Sequence, residues 1–500
     1  MWELAALALD GRYILAGPVG IAGYMAGHAG LLGRALWATF QSALLGYLCG
    51  NLAAVALAAL ALLLPVSERA VRLFSLAVFC LPLIATGPIL RVLYGPGIGP
   101  QVTLSALGVF YTTLVPLLAG LRAAPQVWLD LVDSYGRGRW AALRHVRGMA
   151  AVPYLVAGLQ IAAPAAFLGA MIGEFTGAER GVGVLALRAM RSLDVEATWA
   201  LAALAAAVSI LAYEGAGRLG RLLWPGAPPV LLVAPVVERR RAPWVTFALW
   251  LALAAAVLLV WHGTMELFGL NAFFAKRPGD VWAFLVTGAG AAEHREVLFA
   301  ALGQTLAMAG PGYVAGLAAG AVLAALCVLA PRAAGAVLPV AVTLRAVPIV
   351  TTAPLIVLAL GRGAAGVVTI VAVMIFFPTL IACLHGLRLV PRPVIDVFET
   401  YAAGRWRTLV HARLPAALPA FFASARMTVP AAILAATVAE WLATGTGIGN
   451  LMALSSSTSD YNMLWSAVAV LTLVAVLAHG AVALAERAVF ARYAPEQLRR

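Results

Sequence analysis

Moved 266 residues along itself, this 500-residue chain matches its own sequence without a gap over about a hundred positions. The densest stretch sets 130–185 against 396–451, with 21 identities in 56 positions. Shared alanine or leucine could reflect composition alone. Shared Asp130/Asp396, Arg139/Arg405, Trp140/Trp406, His145/His411, Pro164/Pro430 and Glu174/Glu440 do not have that explanation. Pro82/Pro348, Pro88/Pro354, Gly95/Gly361, Gly97/Gly363 and Pro125/Pro391 keep the same offset. A period of this length means one structural unit built twice, and any fold must accommodate two copies.

The solvent of that unit follows from composition. Hydrophobic residues make up 63% of the chain and charged residues 11%, against about 25% charged in a water-soluble domain. Apolar runs near twenty residues recur, each long enough to cross a hydrocarbon core of about 30 Å. The sequence therefore predicts an all-α polytopic membrane protein. Spans are expected near 40–64, 70–93, 101–121, 151–173 and 197–217, and again near 297–328, 336–360, 365–388, 418–440 and 464–487. One more, near 244–263, links the two sets of five, giving about 11. Six crossings separate equivalent points, and an even number makes the repeats parallel rather than inverted.

Net charge is +13, almost all from arginine lying between the apolar runs. That is the distribution of cytoplasmic loops rather than of a nucleic-acid surface. Arg137, Arg139, Arg144 and Arg147 fall on one side with Arg392, Arg405, Arg407 and Arg413. Arg218, Arg221, Arg239, Arg240, Arg241 and the terminal Arg499-Arg500 join them. The C-terminus is expected in the cytoplasm and the N-terminus outside. The expected organisation is an outer-face segment 1–35, a first unit 36–220, a basic linker 221–243 and the extra span 244–263. An outer-face segment 264–296, a second unit 297–490 and a tail 491–500 complete it. The first thirty residues lack a basic leader and hold Glu3 and Asp10, so insertion is expected to rely on the first spanning helix. Cys49, Cys80, Cys327 and Cys383 lie within apolar stretches without metal-ligand spacing.

The long loops 122–150 and 388–416 carry the chemistry. Each opens on a proline, Pro125 or Pro391, expected in the first turn of a helix. Trp128, Leu131, Val132 and Tyr135 follow at helical spacing, matched by Val394, Val397, Phe398 and Tyr401. Asp130 and Asp133, or Asp396 and Glu399, take other faces. A break at Gly138 or Gly404 precedes Arg139-Trp140 or Arg405-Trp406. Such a helix–turn–helix outside the membrane leaves an apolar face that requires a partner. Acids on the polar face count against an anionic lipid surface as that partner.

These loops resemble the coupling motif of ATP-binding-cassette importer permeases: E-A-A, three residues, G, and a Leu-Pro further on. The second copy reads from Asp396 through Tyr401 to Gly404-Arg405-Trp406 and ends at Leu414-Pro415. The first reads Asp130 through Tyr135-Gly136-Arg137-Gly138-Arg139-Trp140 and ends at Pro153. Arg-Trp, the downstream Ala-Ala-x-Pro, and the later Glu-aromatic with Gly-x-Gly are similar to the nitrate, sulfonate and taurine branch. Asp replaces the leading Glu in both copies, the first lacks the Leu-Pro, and Ala402 stands where the second would have the family glycine. The resemblance implies two permease units fused in one chain, each loop seated in a cleft of an ATPase homodimer. It also implies an extracytoplasmic binding protein that hands over a small solute. Asp130, Tyr135, Gly136, Gly138, Arg139, Trp140, Asp396, Tyr401, Gly404, Arg405 and Trp406 would then be the coupling residues.

No phosphate-cradling Gly-x-x-x-x-Gly-Lys-Ser/Thr occurs, and the chain holds one lysine, Lys276. The chain is thus expected to be no enzyme and to carry no cofactor, with ATP and Mg on the partner. Gly445-x-Gly447-x-Gly449 follows a membrane helix rather than a strand and reads as a turn, not a dinucleotide site.

Five residues are candidates for the substrate path. Glu174 and Glu440 close equivalent helices at the outer side, as gate or as structural pairing. Pro164 and Pro430 interrupt those helices, for gating or for packing. Arg345 lies about nine residues into an apolar run. It either attracts an anionic substrate or snorkels to the inner boundary. A secondary transporter with parallel repeats is the alternative, but it would need acids near the midplane for ion coupling. A membrane-embedded enzyme would need converging His, Asp or Glu, which the sequence does not show.

Overall fold

The computed structural model describes every residue except 1, 9–14, 65–66, 96, 225–242, 333, 336–352, 354–355, 358, 362 and 494–500. Arg345, the basic linker around Arg239–Arg241 and the terminal arginines lie outside the described residues. So does most of the expected span 336–360.

The chain packs into two compact units, 1–234 with 241–283, and 284–500 with 235–240. In the first, α1 (Trp2–Ala8) and α2 (Pro18–Gly27) precede the long α3 (Ala29–Leu63). Then come α4 (Ser67–Phe79), α5 (Leu83–Tyr94) and α6 (Gly99–Arg122). Short α7 (Gln126–Ser134) and α8 (Arg139–Ala142) fill the Arg-rich loop. The long α9 (Gly148–Phe175), short α10 (Val182–Arg191) and long α11 (Val195–Leu223) follow, then α12 (Pro243–Leu267) and α13 (Pro278–Trp282). The second unit repeats the order with α14 (Ala291–Leu329), α15 (Ala364–Arg388), α16 (Arg392–Thr400) and α17 (Arg405–Thr408). It ends with α18 (Leu414–Ala439), α19 (Gly447–Ser457) and α20 (Tyr461–Tyr493). No strand occurs among the described residues.

Among the described residues eight helices are long and apolar enough to cross a membrane, or nine if the bent pair α4 and α5 forms one span. They include seven of the expected spans at or near their expected limits, and α3, which begins at Ala29, before the expected 40. The expected span 70–93 passes as a span only with its two pieces taken together and is not one straight helix. It is two helices, α4 and α5, bent by 93°. The break falls at Pro82, which bars its predecessor Leu81 from helical geometry and starts α5 afresh. The expected linking span 244–263 forms α12.

Hydrocarbon gives helices no gain from apolar contact, so association rests on close backbone approach. In the first unit α3 meets α6 through Gly46 and Gly50, where an added Cβ would stand 2.3 Å from Ser105 and 2.6 Å from the Ala106 carbonyl. In the second, α14 meets α15 through Gly312 and Gly316, the same two positions, with Gly316 facing the Ala372 carbonyl at 2.6 Å. Tyrosines cross-link the third member of each bundle. Tyr47 donates to the Leu159 carbonyl at 3.1 Å and Tyr313 to the Ala425 carbonyl at 2.7 Å.

α9 and α18 run without interruption through Pro164 and Pro430, a correction to the expected breaks. A proline inside a helix frees the carbonyl four residues earlier. For Pro430 that carbonyl is Arg426, and His479 of α20 donates its Nδ1–H to it at 3.0 Å. The Arg426 guanidinium meanwhile pairs with Glu486 at 3.0 Å. Pro430 thus opens a packing contact between α18 and α20.

Gly316→Leu should part α14 from α15 and cost about 1–3 kcal/mol, the range for overpacking. Thermal unfolding in detergent should show a clearly lowered midpoint, with Gly303→Leu, which faces open space, as the near-neutral control.

Candidate functional site

Two constellations emerge in each unit, one at each end of the bundle. The first is the Arg-rich loop. α7 turns Leu129 inward and leaves Val127, Trp128, Leu131 and Tyr135 exposed. α16 leaves Val394, Val397 and Tyr401 exposed in the matching register. Tyr135 is 74% exposed and Tyr401 82%, so neither is held by its own unit. Trp140 and Trp406, 63% and 64% exposed, open the second short helices of the two loops. Pro125 and Pro391 sit at the cap just before the helix rather than in its first turn.

Each of these two loop helices ends in the same backbone closure. Gly136 donates to the Asp133 carbonyl and Arg137 to Val132, while Ala402 donates to Glu399 and Ala403 to Phe398. This double closure places the residue after the cap in the left-handed region, where glycine is favoured. Gly136 stands there at φ 65° and Ala402 at φ 48°. Ala402 therefore carries the strain that a glycine would relieve. Gly138 and Gly404 start the next short helix by accepting from Ala141 and Thr408. Past Trp140 and Trp406 a π-turn follows in each copy, Leu143–Arg147 and Leu409–Arg413. Arg405 and Arg413 of the second loop reach the carbonyls of Leu329 and Leu387, both at 3.4 Å.

The second constellation surrounds the acids at the opposite end. Glu174 ends α9 at 3% exposure. One oxygen accepts from Thr39 of α3 at 2.6 Å and the other from the Gly183 backbone of α10 at 2.6 Å. Thr39 accepts in turn from the Val182 backbone at 2.8 Å. Glu440, fully buried, repeats the clasp. Thr305 of α14 and the Gly449 backbone of α19 both donate to it at 2.9 Å, and the Ile448 backbone donates to Thr305 at 2.9 Å. A carboxylate facing the free N–H groups that open a helix satisfies donors left over in every helix start. The glycines of the Gly-x-Gly pair earn their place by space. A Cβ on Gly181 or Gly447 would fall 2.1–2.2 Å from the carboxylate.

The clasp joins three elements of each unit: a long early helix, a long late helix and the short helix after it. Thr39 and Thr305 were missed by the sequence analysis, although they too are 266 residues apart. A search for buried hydroxyls sharing the repeat offset would have found them. Asp130, Asp396 and the exposed aromatics cluster at the loop end, apart from the acids. Pro164 and Pro430 lie within the spans between the two ends. Among the described residues no group of His, Cys, Asp and Glu could hold a metal ion.

Removing the Glu440 carboxylate orphans the Gly449 backbone N–H of α19, at about 1–3 kcal/mol for a buried donor left unpaired, and leaves Thr305 only the Ala301 carbonyl of its own helix. Glu440→Ala should lower the thermal midpoint sharply and Glu440→Gln much less. A midpoint untouched by Glu440→Ala would refute the clasp. At the loop, Ala402→Gly should relieve about 1 kcal/mol of left-handed strain and raise amide-exchange protection across 398–404.

The comparisons agree with this arrangement. The sequence profile of the binding-protein-dependent transport system inner membrane component family matches twice, over residues 46–225 and 298–491. A protein of Haemophilus influenzae described as an ABC transporter permease is 29% identical over 226 residues, 45% of this chain and 90% of its own. A riboflavin transport system permease of Chloroflexus aurantiacus is 32% identical over 152 residues, 30% of this chain and 57% of its own. A permease named for aliphatic sulfonate transport in Escherichia coli is 31% identical over 108 residues, 22% of this chain and 41% of its own. The two profile matches coincide with the two structural repeats, and with clasp and loop present in each, the chain belongs to the binding-protein-dependent transport system inner membrane components as two permease units in one polypeptide.

Proposed function

We propose that the chain is the complete transmembrane part of an ATP-binding-cassette importer, with both halves of the pathway on one polypeptide. The observation that carries this reading is the pair of exposed, apolar-striped helices α7 and α16. Each stands at the same end of its unit and in the same register. Their stripes lie away from the bundle and end in a bare tyrosine. A recurring exposed face of this kind calls for a partner that is itself present twice.

In this reading two copies of one ATPase dock on α7 and α16 at the cytoplasmic face, and the chain itself hydrolyses nothing. ATP and Mg reside on the partner. A binding protein delivers a small solute at the opposite face, near the short helices α10 and α19. The clasp then makes each unit move as one body. Glu174 and Glu440 tie the outer short helix to the long helices, so a push at the loop end arrives undissipated. They act here as positioning residues rather than as gates. The relatives named for riboflavin and for sulfonates differ in charge, which puts substrate choice largely on the binding protein. An anion such as nitrate or a sulfonate, or the zwitterion taurine, fits the reading equally with an uncharged solute.

Affinity purification of the intact chain from its native membrane tests this. A small ATPase should accompany the wild type and be lost from the double variant Asp130→Arg with Asp396→Arg. Absence of any ATPase after cross-linking would reject the importer reading and favour a secondary transporter.

A further inference from the structure

The two docking helices share a shape but not a charge pattern. Position 126 is glutamine and its repeat partner 392 is arginine. In α16, Arg392 pairs with Asp396 at 2.9 Å and reaches Glu399 at 3.7 Å. One of the two acidic charges of that helix is therefore offset from within. In α7 the same place holds Gln126, whose amide donates to Asp130 at 2.8 Å. That hydrogen bond fixes the carboxylate without discharging it. The arginines that follow, Arg137, Arg144 and Arg147, form no ion pair with Asp130 or Asp133 among the described residues. α7 thus carries two acids and no cation of its own next to its apolar stripe, whereas α16 carries two acids and one arginine joined in an ion-pair network.

We infer that the two helices dock by different physics: α7 by charge onto a basic groove of the ATPase, α16 mainly by its apolar stripe. The inference rests on the importer reading, in which the same groove is offered to both helices. A groove with basic residues at its rim gains two new ion pairs at α7. At α16 it must compete with Arg392 for the same carboxylates. An ATPase homodimer on this chain is then held unequally, more tightly and with greater salt sensitivity at α7. Ala402 points the same way, since the strained turn of the second loop leaves α16 less firmly preset for docking than α7 with Gly136. Preorganisation of this kind favours the first loop on entropic grounds.

The test uses the whole chain in lipid nanodiscs and the ATPase recovered with it, purified separately. Affinity is measured at ~50 mM and ~300 mM salt, where the Debye length falls from above to below about 8 Å. Gln126→Arg installs the internal ion pair on α7. It should weaken binding at low salt by about two- to five-fold, the range of one exposed pair, and flatten the salt dependence. Arg392→Gln frees the acids of α16, so it should tighten low-salt binding by a similar factor and steepen the dependence. Arg392→Lys should behave as wild type. Both substituted positions are exposed, so neither change disturbs a packed core. Opposite shifts establish the inequality. Equal shifts, or none, with ATPase still bound overturn it while leaving the importer reading intact. No ATPase binding under any condition instead removes the importer reading.

Discussion

Everything in this molecule depends on how closely its long helices approach. In a hydrocarbon solvent an apolar side chain gains nothing by leaving lipid for a neighbouring helix. What remains is van der Waals contact and the occasional hydrogen bond, and both require backbones to come near. Gly46 and Gly50 on α3, with Gly312 and Gly316 on α14, permit that approach. Once the backbones touch, Tyr47 and Tyr313 reach carbonyls on the next helix. The buried threonines Thr39 and Thr305 reach the terminal glutamates. The polar contacts are thus a consequence of the glycine spacing, and they make the packing specific.

The two units preserve geometry far better than chemistry. Glycine pairs, tyrosine cross-links, clasp, left-handed turn and π-turn all recur 266 residues apart. Between them, side chains have drifted in ways that change the forces. Gln160, which lies against Gly217, becomes Arg426, and Gly220 becomes Glu486. Close glycine packing of α11 on α9 in the first unit is replaced by an ion pair between α18 and α20 in the second. A buried pair of that kind holds only while both partners are present, since a lone charge in the membrane is costly. The second unit therefore secures its last helix by direction-specific bonding, the first by shape.

Much of the fold was legible because lipid imposes simple rules. A run of twenty apolar residues must be a span, and Arg clusters must be loops, so α6, α9, α11, α15 and α20 fell where expected. The loop helices α7 and α16 were legible because their apolar stripes have no place in a soluble loop without a partner. The bend between α4 and α5 was not, since an apolar run conceals a proline break unless Pro82 is weighed above hydropathy. Glu174 and Glu440 stood out by charge, but their role did not. Thr39 and Thr305 lie more than a hundred residues away in sequence, and hydroxyls in apolar helices usually bond their own backbone. Only the folded arrangement shows that these two also bond a carboxylate. Helices α10 and α19 were too short and too broken by glycine at their starts to register, yet they supply the backbone donors that the glutamates bind.

A fused chain changes what a repeat is free to become. Two identical units meeting a twofold partner must use one surface twice, and any change is made on both sides at once. Joining the units in one polypeptide lifts that constraint, because each loop is then encoded separately. Gln126 opposite Arg392 and Gly136 opposite Ala402 are departures of this sort in the loops, while both glutamates keep their threonine and glycine donors. The pattern separates two kinds of demand. The clasp ties two long helices and a short one together in each unit, and both copies retain it. Docking in the proposed importer needs only enough total affinity across two loops. One loop can then carry the charge-driven share while the other keeps its apolar face and little more.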